Sequence, residues 1–314
     1  MARKPDVDSV ALAALVRRAF GTSLPVHCER TPDGVSSQVY RLVRGSETFY
    51  LRVAEEADEN LETDAELHRR LLALGVRIPR VVFVEPFDAA IGRSVAITTE
   101  VPGVSLAAAA GYPPEVALTV ATEAGEDLAV INRVTVDGFG WVRRSGPGWP
   151  LRAEHASYLS FLTSYLPADW PGPLGSLLPG DVLAAVEAML DSERARPPAE
   201  ARLAHGDFDT TAIFCAKGRY TGMIDFGEIR GTEPAFDLGH FHLHDQEQVP
   251  DRLLPALLDG YGRVAELPDE RSIRRSAVLL GLRQLCHWLT RAYGLDHSVV
   301  VQRAARIRDV LEQG

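Results

Sequence analysis

Hydrophobic residues follow different periods in the two parts of this 314-residue chain. Up to about residue 100, short alternating or continuous apolar runs predict strands, at residues 39–43, 48–53, 81–84 and 94–99. Two segments of this part have helical spacing, at residues 10–20 and 58–74. Beyond it, apolar positions recur every three or four residues and predict helices, at residues 114–134, 158–166, 181–196, 253–264, 271–292 and 298–311. The pattern predicts a strand-rich part followed by a mostly helical one.

A predicted β-hairpin interrupts the helical part. Its strands are the apolar runs at residues 213–215 and 220–224, and Gly218 suits the tight turn between them. Asp207 precedes the first run and Asp225 follows the second, so the hairpin brings both carboxylates to one end. Two such carboxylates can hold a hydrated Mg²⁺, or one can orient a hydroxyl while the other holds the metal. Taken singly, an aspartate at a strand end is more often a turn or cap residue.

Composition and charge narrow the classes of partner and compartment. The net charge of −10 argues against nucleic acid or an anionic membrane as the main partner. No apolar run reaches the roughly 18 residues that a membrane span needs, and the N-terminal stretch lacks the apolar region of a signal peptide. Three widely spaced cysteines indicate neither a disulfide framework nor a zinc site. We therefore expect a cytoplasmic protein.

The sequence around the hairpin resembles a known family. His205-Gly-Asp207, Ile-Asp225-Phe-Gly and the Glu-Pro-Ala-Phe-Asp-Leu segment at residues 233–238 are similar to the catalytic and metal-binding loops of the aminoglycoside phosphotransferase-like kinases, small-molecule relatives of the protein kinases. The resemblance covers most of the chain. It implies an α+β, bilobal protein-kinase-like fold, with an antiparallel sheet plus helix in the N-lobe and a mostly helical C-lobe that carries a catalytic β-hairpin.

The resemblance also implies a function for each part of the chain. Residues 1–100 would form a nucleotide-binding lobe, residues 98–104 the approximate hinge, and residues 105–314 the catalytic and acceptor-binding lobe. ATP would lie between the lobes, although the sequence does not separate ATP from GTP. At the hinge, Thr99 and Val101 would meet the adenine.

Further nucleotide contacts are implied for the first lobe. The turn with Ser36 and Ser37 would cover the triphosphate, and Arg52 on the third strand would contact the α- and β-phosphates. A carboxylate of the following helix pairs with this cation in the family. The matching position is Asp64, with Glu66 as the near alternative.

The resemblance assigns the chemistry to the second lobe. Asp225 would ligate Mg²⁺, and Asp207 would act as the catalytic base that accepts the proton of the acceptor hydroxyl. Asp237 would brace the catalytic loop. His205 is interpreted as a buried anchor of that loop rather than as an acid or base.

Ala212 departs from the family pattern. Five residues after the catalytic Asp, the family normally has Asn, or His in some branches, as a second metal ligand, and the methyl group of Ala212 cannot coordinate Mg²⁺. Either Asp209 or a water takes over, or catalysis is weak. This departure motivates an alternative function, a nucleotide-binding pseudokinase or inactivated variant. A third hypothesis reads Asp207 and Asp225 as turn caps in a protein that binds no nucleotide.

The acceptor is implied only as a class, a small hydroxylated molecule such as an antibiotic or a metabolite, and the chain is expected to be a monomer or homodimer. Acidic residues between positions 245 and 270 would favour a polycationic aminoglycoside if they formed a rim, but acids on exposed helix faces equally serve solubility alone. Aromatic loops around Trp149 and Trp170 would instead suit a bulkier, less charged acceptor.

The alternate histidines at positions 240, 242 and 244 suggest a metal site only if they lie on a strand, whereas the preceding residues predict a helix.

Overall fold

The computed structural model describes residues 5–21, 25–32, 38–109, 111–146, 148–197, 200–291 and 293–312. The chain divides into two compact units. The first comprises Met1–Pro102, Arg143–Leu151 and Thr221–Ile224; the second comprises Gly103–Val142, Arg152–Tyr220 and Asp225–Gly314. The functions expected for residues 1–100 and 105–314 stay predictions.

The first unit contains a five-stranded antiparallel sheet with the strand order β1-β2-β3-β5-β4. Its strands are β1 His27–Arg30, β2 Gln38–Arg44, β3 Glu47–Val53, β4 Val81–Asp88 and β5 Arg93–Thr99. Helix α1 (Ser9–Phe20) packs on one face of the sheet, and helix α2 (Glu62–Ala73) contacts β4. The core between α1 and the sheet consists of Leu12, Leu15, Val16, Tyr40, Leu42, Phe49, Leu51, Val53, Val95 and Ile97.

The second unit is mostly helical. Its helices are α3 Pro114–Ile131, α4 Tyr158–Thr163, α5 Pro171–Leu174, α6 Gly180–Ala195, α7 Ala235–His244, α8 Leu254–Val264, α9 Glu270–Thr290 and α10 Ser298–Glu312. Its strands are β6 Val104–Ser105, β7 Phe139–Val142, β8 Ala153–His155, β9 Arg202–Ala204, β10 Ile213–Ala216, β11 Arg219–Met223, whose last residues group with the first unit, and β12 Arg230–Thr232. They form sheets in the orders β8-β7-β12-β9 and β11-β10-β6.

The predicted elements are confirmed with shifted ends. The helix expected at residues 58–74 begins only at Glu62, and the helix expected at residues 114–134 ends at Ile131. The predicted hairpin is present as β10 and β11, and Gly218 has the positive φ of +74° that its turn requires. Strands β6, β7, β8, β9 and β12 have two to four residues, which is too short for a period of two to be recognised.

Helices α3 and α8 approach each other at two glycines. A Cβ atom on Gly125 of α3 would meet the carbonyl oxygen of Leu257 at 2.1 Å, and a Cβ atom on Gly260 of α8 would meet the carbonyl oxygen of Thr122 at 1.8 Å. Both distances are far below van der Waals contact, so only glycine permits this backbone approach. No helix among the described residues is long and apolar enough to cross a membrane.

We expect Gly260→Ala to lower the free energy of unfolding by about 1–3 kcal/mol, because overpacking of a rigid contact costs more than the helix propensity of alanine returns. Gly262→Ala is the matched control on the same helix, since its Cβ would meet only the flexible side chain of Leu267, at 3.1 Å. Chemical denaturation of both variants measures the difference. Equal stability of the two variants would contradict the close backbone contact.

Candidate active site

One buried carboxylate holds the loop that carries Asp207 through hydrogen bonds to its backbone. Asp237 in the first turn of α7 is fully buried and accepts hydrogen bonds from the backbone N–H groups of His205 and Gly206, each at 2.9 Å. The side-chain amide of Asn132 donates a third hydrogen bond to it, at 2.9 Å. Two consecutive N–H groups bound to one carboxylate fix the direction of the chain just before Asp207, as the bracing role of Asp237 requires.

His205 joins the loop of Asp207 to the loop of Asp225. Its ring is fully buried and lies edge-on to the rings of Phe208, at 5.6 Å between centroids, and Phe226, at 4.8 Å. Phe208 follows Asp207 directly and Phe226 follows Asp225 directly. The ring therefore packs as an anchor between the two loops.

Asp225 has an unusual backbone conformation and an exposed side chain. Its φ of +67° and ψ of 59° place it in the left-handed region, which few residues other than Gly, Asn and Asp adopt. Strained backbone of this kind concentrates at ligand-binding and catalytic positions. The carboxylate is a hard oxygen donor open to solvent, and Mg²⁺ is commonly bound by one or two carboxylates together with substrate phosphates. Asp225 alone therefore fits the protein's share of such a site.

Ala212, which stands where the family pattern has a second metal ligand, is part of the core. It is 2% exposed and directly precedes β10, and its methyl group offers no oxygen. Asp209, the possible substitute, is engaged within its own loop, since its Oδ1 accepts from Thr211 N at 2.7 Å and from Thr211 Oγ1 at 2.5 Å. Among the described residues, no three His, Cys, Asp or Glu side chains converge on a common point as a metal site.

His240 is the direct partner of Asp207. Its Nε2 lies 3.2 Å from Asp207 Oδ1, and its Nδ1 lies 3.1 Å from the carbonyl oxygen of Phe208. The imidazole is 2% exposed, whereas the Asp207 side chain is 54% exposed. The hydrogen bond from His240 outweighs the effect of desolvation and holds the pKa of Asp207 well below its usual range.

The histidine-rich segment is a helix, as its context predicted. His240 and His244 lie one turn apart and stack with their centroids 4.4 Å apart, whereas His242 is two positions from each and lies on a different side of α7. Sequence reasoning did not assign His240 to Asp207. The spacing of 33 residues between the two gives no signal for this contact, which only the docking of α7 on the loop of Asp207 creates.

In the first unit, Arg52 and Asp64 lie near each other but are not a close pair. Arg52 Nη1 lies 3.8 Å from Asp64 Oδ1, whereas Arg144 Nε and Nη2 each lie 2.9 Å from one oxygen of Asp64. Burial acts to raise the pKa of Asp64, but Arg144 and Arg52 outweigh it and hold that pKa below its usual value. Glu66, the alternative partner, is instead bonded to arginines of its own helix.

Arg144 is a residue that sequence reasoning missed. Its side chain is 8% exposed, and its two hydrogen bonds to Asp64 have the fork geometry that arginine forms with carboxylates. The residue lies 80 positions after Asp64, in a segment that belongs to the first unit although it follows the predicted hinge. A pattern of neighbouring residues contains no information on such a return of the chain.

The residues expected to meet the nucleotide base belong to the last strand of the first sheet and its end. Thr99 Oγ1 accepts from Arg80 N at 3.0 Å, and Thr99 N donates to Arg80 O at 2.9 Å. Val101 is buried. Ser36 and Ser37 lie outside the described residues. The nucleotide contacts of all four stay predictions.

Five of the seven acids between positions 245 and 270 serve local structure. Asp245 is 4% exposed and accepts from the N–H groups of Leu253 and Leu254 at the start of α8. Asp269 caps α9 by accepting from Ser272 N. Three further acids form ion pairs, namely Glu247, Asp259 and Glu270. Most carboxylates of the acidic stretch are therefore engaged by the chain itself.

The two tryptophan loops are also engaged. The indole ring of Trp149 lies under the guanidinium of Arg70, with 4.0 Å between its centroid and the Arg70 Cζ atom, in the first unit. Trp170 is 8% exposed and belongs to the core of the second unit.

Comparison with known proteins gives the same family as the motifs around Asp207 and Asp225 indicated. The model of the phosphotransferase enzyme family, APH, matches residues 27–275. No curated protein matches the chain. Similar solved structures include a thermostable mutant of aminoglycoside phosphotransferase APH(4)-Ia in ternary complex with AMP-PNP and hygromycin B, at 18% identity and a TM-score of 0.70, covering 98% of this chain and 99% of that one. Another is the amicoumacin kinase hAmiN in complex with AMP-PNP, Ca²⁺ and Ami, at 13% identity and a TM-score of 0.65, covering 98% and 94%.

The fold and the site thus define a kinase-like phosphotransferase. Because the family model spans most of its length, the chain belongs to the phosphotransferase enzyme family. The predictions of the family, of the α+β protein-kinase-like fold and of a phosphotransferase with an alcohol group as acceptor are confirmed.

We expect His240→Leu to raise the pKa of Asp207. The depressed pKa keeps the carboxylate ionised as the pH falls below the ordinary aspartate value of about 3.9, and loss of the donor returns protonation to that value or above. Selective ¹³C labelling of aspartate carboxyls, with Asp207→Asn to assign the signal, measures the titration by NMR.

His240→Gln is the matched variant, because an amide can donate a hydrogen bond but carries no charge. We expect its Asp207 titration midpoint to lie between those of the native chain and His240→Leu. Circular dichroism over the same pH range separates titration from acid unfolding. An unchanged midpoint in His240→Leu, with the fold intact, would contradict the contact.

Proposed function

We propose that this chain transfers the γ-phosphate of ATP to a hydroxyl group of a small hydroxylated molecule. The observation that carries the proposal is the Asp207 carboxylate, whose Oδ1 lies 3.2 Å from Nε2 of buried His240 while about half of its side chain is open to solvent. A carboxylate that orients a hydroxyl and takes its proton needs a fixed position and an oxygen within reach of the acceptor. The match to the phosphotransferase enzyme family supports the reaction class.

Asp207 orients the acceptor hydroxyl in this proposal. Its carboxylate accepts the hydroxyl hydrogen bond and takes the proton late in the transfer, since a loose phosphoryl-transfer transition state demands mainly positioning and charge neutralisation. His240 holds the carboxylate in one orientation, because its Nε2 contacts Asp207 while its Nδ1 is bonded to the backbone carbonyl of Phe208. Asp237 fixes the backbone before Asp207 through the N–H groups of His205 and Gly206.

Asp225 is the residue that would hold Mg²⁺. The bound cation supplies charge neutralisation for the phosphates. The left-handed backbone of Asp225 and its exposed side chain support this role. With Ala212 at the second ligand position, we assign no other side chain of the second unit to the metal.

The first unit is proposed to bind the nucleotide. Arg52 would contact the α- and β-phosphates, and the 3.8 Å distance to Asp64 supports a carboxylate that orients it. Thr99 and Val101 would meet the base through backbone groups. Since Arg144 also binds Asp64, it would hold that carboxylate in place rather than contact the nucleotide.

A pseudokinase is the second candidate function, and Ala212 is the observation that favours it. Loss of a metal ligand or of its support commonly costs about 10- to 100-fold in metal affinity or activity. A chain that binds Mg-ATP without transferring phosphate would act through binding or regulation.

A cytoplasmic location and a monomeric or homodimeric state stay predictions.

We expect Asp207→Asn to lower the rate of acceptor-dependent Mg-ATP consumption by about 100- to 10,000-fold, the usual contribution of a general base. The acceptor panel contains aminoglycosides, macrolides, nucleoside antibiotics, neutral sugars and sugar acids. Asp191→Asn is the control, because this carboxylate is 70% exposed on α6 and its loss changes the net charge equally. An active Asp207→Asn variant would contradict the role of the residue.

Ala212→Asn separates the two candidate functions. For a kinase with a compromised metal site, the rate rises in Ala212→Asn and the concentration of Mg²⁺ needed for half-maximal activity falls. For a pseudokinase, the native chain binds Mg-ATP but transfers phosphate to no acceptor. Melting temperatures of both proteins show whether the larger side chain is tolerated in the core.

A further inference from the structure

Among the described residues, no anionic group pairs with the buried guanidinium of Arg283. Arg283 lies in α9 and is 6% exposed. Within the described part of the chain, its Nε and Nη2 atoms are buried without a hydrogen-bond partner, and no carboxylate forms an ion pair with it. Burial, followed by the charge of nearby Arg230, lowers its pKa to about 10, so the group is still cationic at neutral pH. Burial of a cation is strongly destabilising unless a partner compensates its charge.

Three aromatic rings surround this cation. The Arg283 Cζ atom lies 4.8 Å from the ring centroid of Trp141, 4.5 Å from that of Phe161 and 4.3 Å from that of Tyr165. Cation–π contacts of this kind offset only part of the desolvation of a buried cation. The rings also leave the N–H donors of the guanidinium unpaired, because the face of an aromatic ring attracts a cation but accepts only weak hydrogen bonds.

The neighbouring carboxylate is already engaged elsewhere. Glu228 Oε2 accepts from Trp141 Nε1 and from Arg230 Nη2, each at 2.8 Å. Two arginines, Arg230 and Arg283, therefore lie beside this one carboxylate. His287 contacts Tyr165 edge-on at 4.9 Å, and burial and the charges of Arg291 and Arg283 lower its pKa, which favours the neutral imidazole.

The cage is continuous with the loops of the candidate active site. Glu228 lies three residues after Asp225, and it binds the cage residue Trp141. Arg230, whose Cζ atom lies 5.0 Å from the Trp141 centroid, has its Nε at 2.8 Å from the place that a Cβ atom on Gly206 would occupy, next to Asp207. At the rim, Trp141 and Tyr165 are half-buried rather than enclosed.

We propose that Arg283 binds an oxyanion group, a carboxylate or a phosphate monoester, of the acceptor, with the rings of Trp141 and Tyr165 flanking it. The acceptor is then an anionic hydroxylated molecule and not a polycationic aminoglycoside. This inference rests on the proposed function. The planar fork of arginine suits bidentate binding of an oxyanion, which would use the N–H donors that the rings leave unpaired.

A purely structural role for Arg283 makes different predictions. If the cation only stabilised the aromatic cluster, Arg283→Met would lower the melting temperature and no anion would bind there. If Arg283 awaits an anion, replacing it with an apolar side chain of similar length removes an uncompensated charge and leaves the melting temperature unchanged or higher.

The test uses four one-ring probes that differ only in their polar group, namely benzoate, phenyl phosphate, benzamide and benzylammonium. We expect benzoate or phenyl phosphate, or both, to bind the full-length chain in isothermal titration calorimetry, with benzamide and benzylammonium at least tenfold weaker. Arg283→Met is expected to weaken the anions at least tenfold, and Arg283→Lys to retain part of the binding. The ratio of benzoate to phenyl phosphate affinity distinguishes a carboxylate from a phosphate acceptor.

Arg271→Met is the control for net charge, because this exposed arginine lies on the same helix. We expect it to bind the anions as the native chain does. No anion binding at up to 50 mM probe, or equal anion binding by the native chain and Arg283→Met, would overturn the proposal. A lowered melting temperature in Arg283→Met without anion binding would assign the residue to structure alone.

The phosphotransfer assay then separates this inference from the proposed function. D-Glucuronate, D-glucose and D-glucosamine share one ring and differ in charge. Preference for the anionic member, lost in Arg283→Met with an unchanged KM for ATP, supports the inference. Transfer to a cationic acceptor that is unaffected by Arg283→Met overturns the inference but retains the proposed function. If the anionic probes bind through Arg283 but no acceptor is phosphorylated, the proposed function fails, and with it the assignment of the anion site to an acceptor.

Discussion

The buried carboxylate of Asp237 is the contact on which the candidate active site depends. It receives the N–H groups of His205 and Gly206 and the side-chain amide of Asn132, so three donors that burial would otherwise leave unpaired are satisfied by one residue. A buried donor without a partner costs about 1–3 kcal/mol. The carboxylate therefore fixes one path of the backbone into Asp207, and α7, which carries Asp237, brings His240 to the same loop three residues later.

The net charge of −10 does not describe the charges that are buried inside the two units of this protein. Many of the acids cap helices or form ion pairs at the surface, as Asp245 and Asp269 do. Several arginines, by contrast, are buried inside the units. Arg144 and Arg230 have carboxylate partners, whereas Arg283 has aromatic rings. Net charge describes solubility and long-range attraction, but a binding site responds to the few charges that are desolvated beside it.

Ala212 shows how a local departure can be compatible with an intact fold. Its methyl group fills a buried position directly before β10, so packing is satisfied although the side chain offers no oxygen donor. The loop around it remains ordered through the hydrogen bonds of Asp209 to Thr211, and His240 supplies a polar contact to Asp207 from another element. The fold needs a side chain that packs in the core at this position, whereas the family pattern has a metal ligand there. Ala212 meets the packing requirement but not the ligand requirement.

The sequence by itself determined the elements whose signal is local. Periodicity located the long helices and the sheet strands, and contiguous motifs identified the loops of Asp207 and Asp225, because a motif of a few residues reports on one turn of the backbone. Only the tertiary structure decided which residues meet across large sequence separations, such as Arg144 with Asp64, His240 with Asp207 and Arg283 with Trp141. The short strands β6–β9 and β12 were missed for a related reason. They are specified by pairing with distant segments, and two to four residues carry no period of their own.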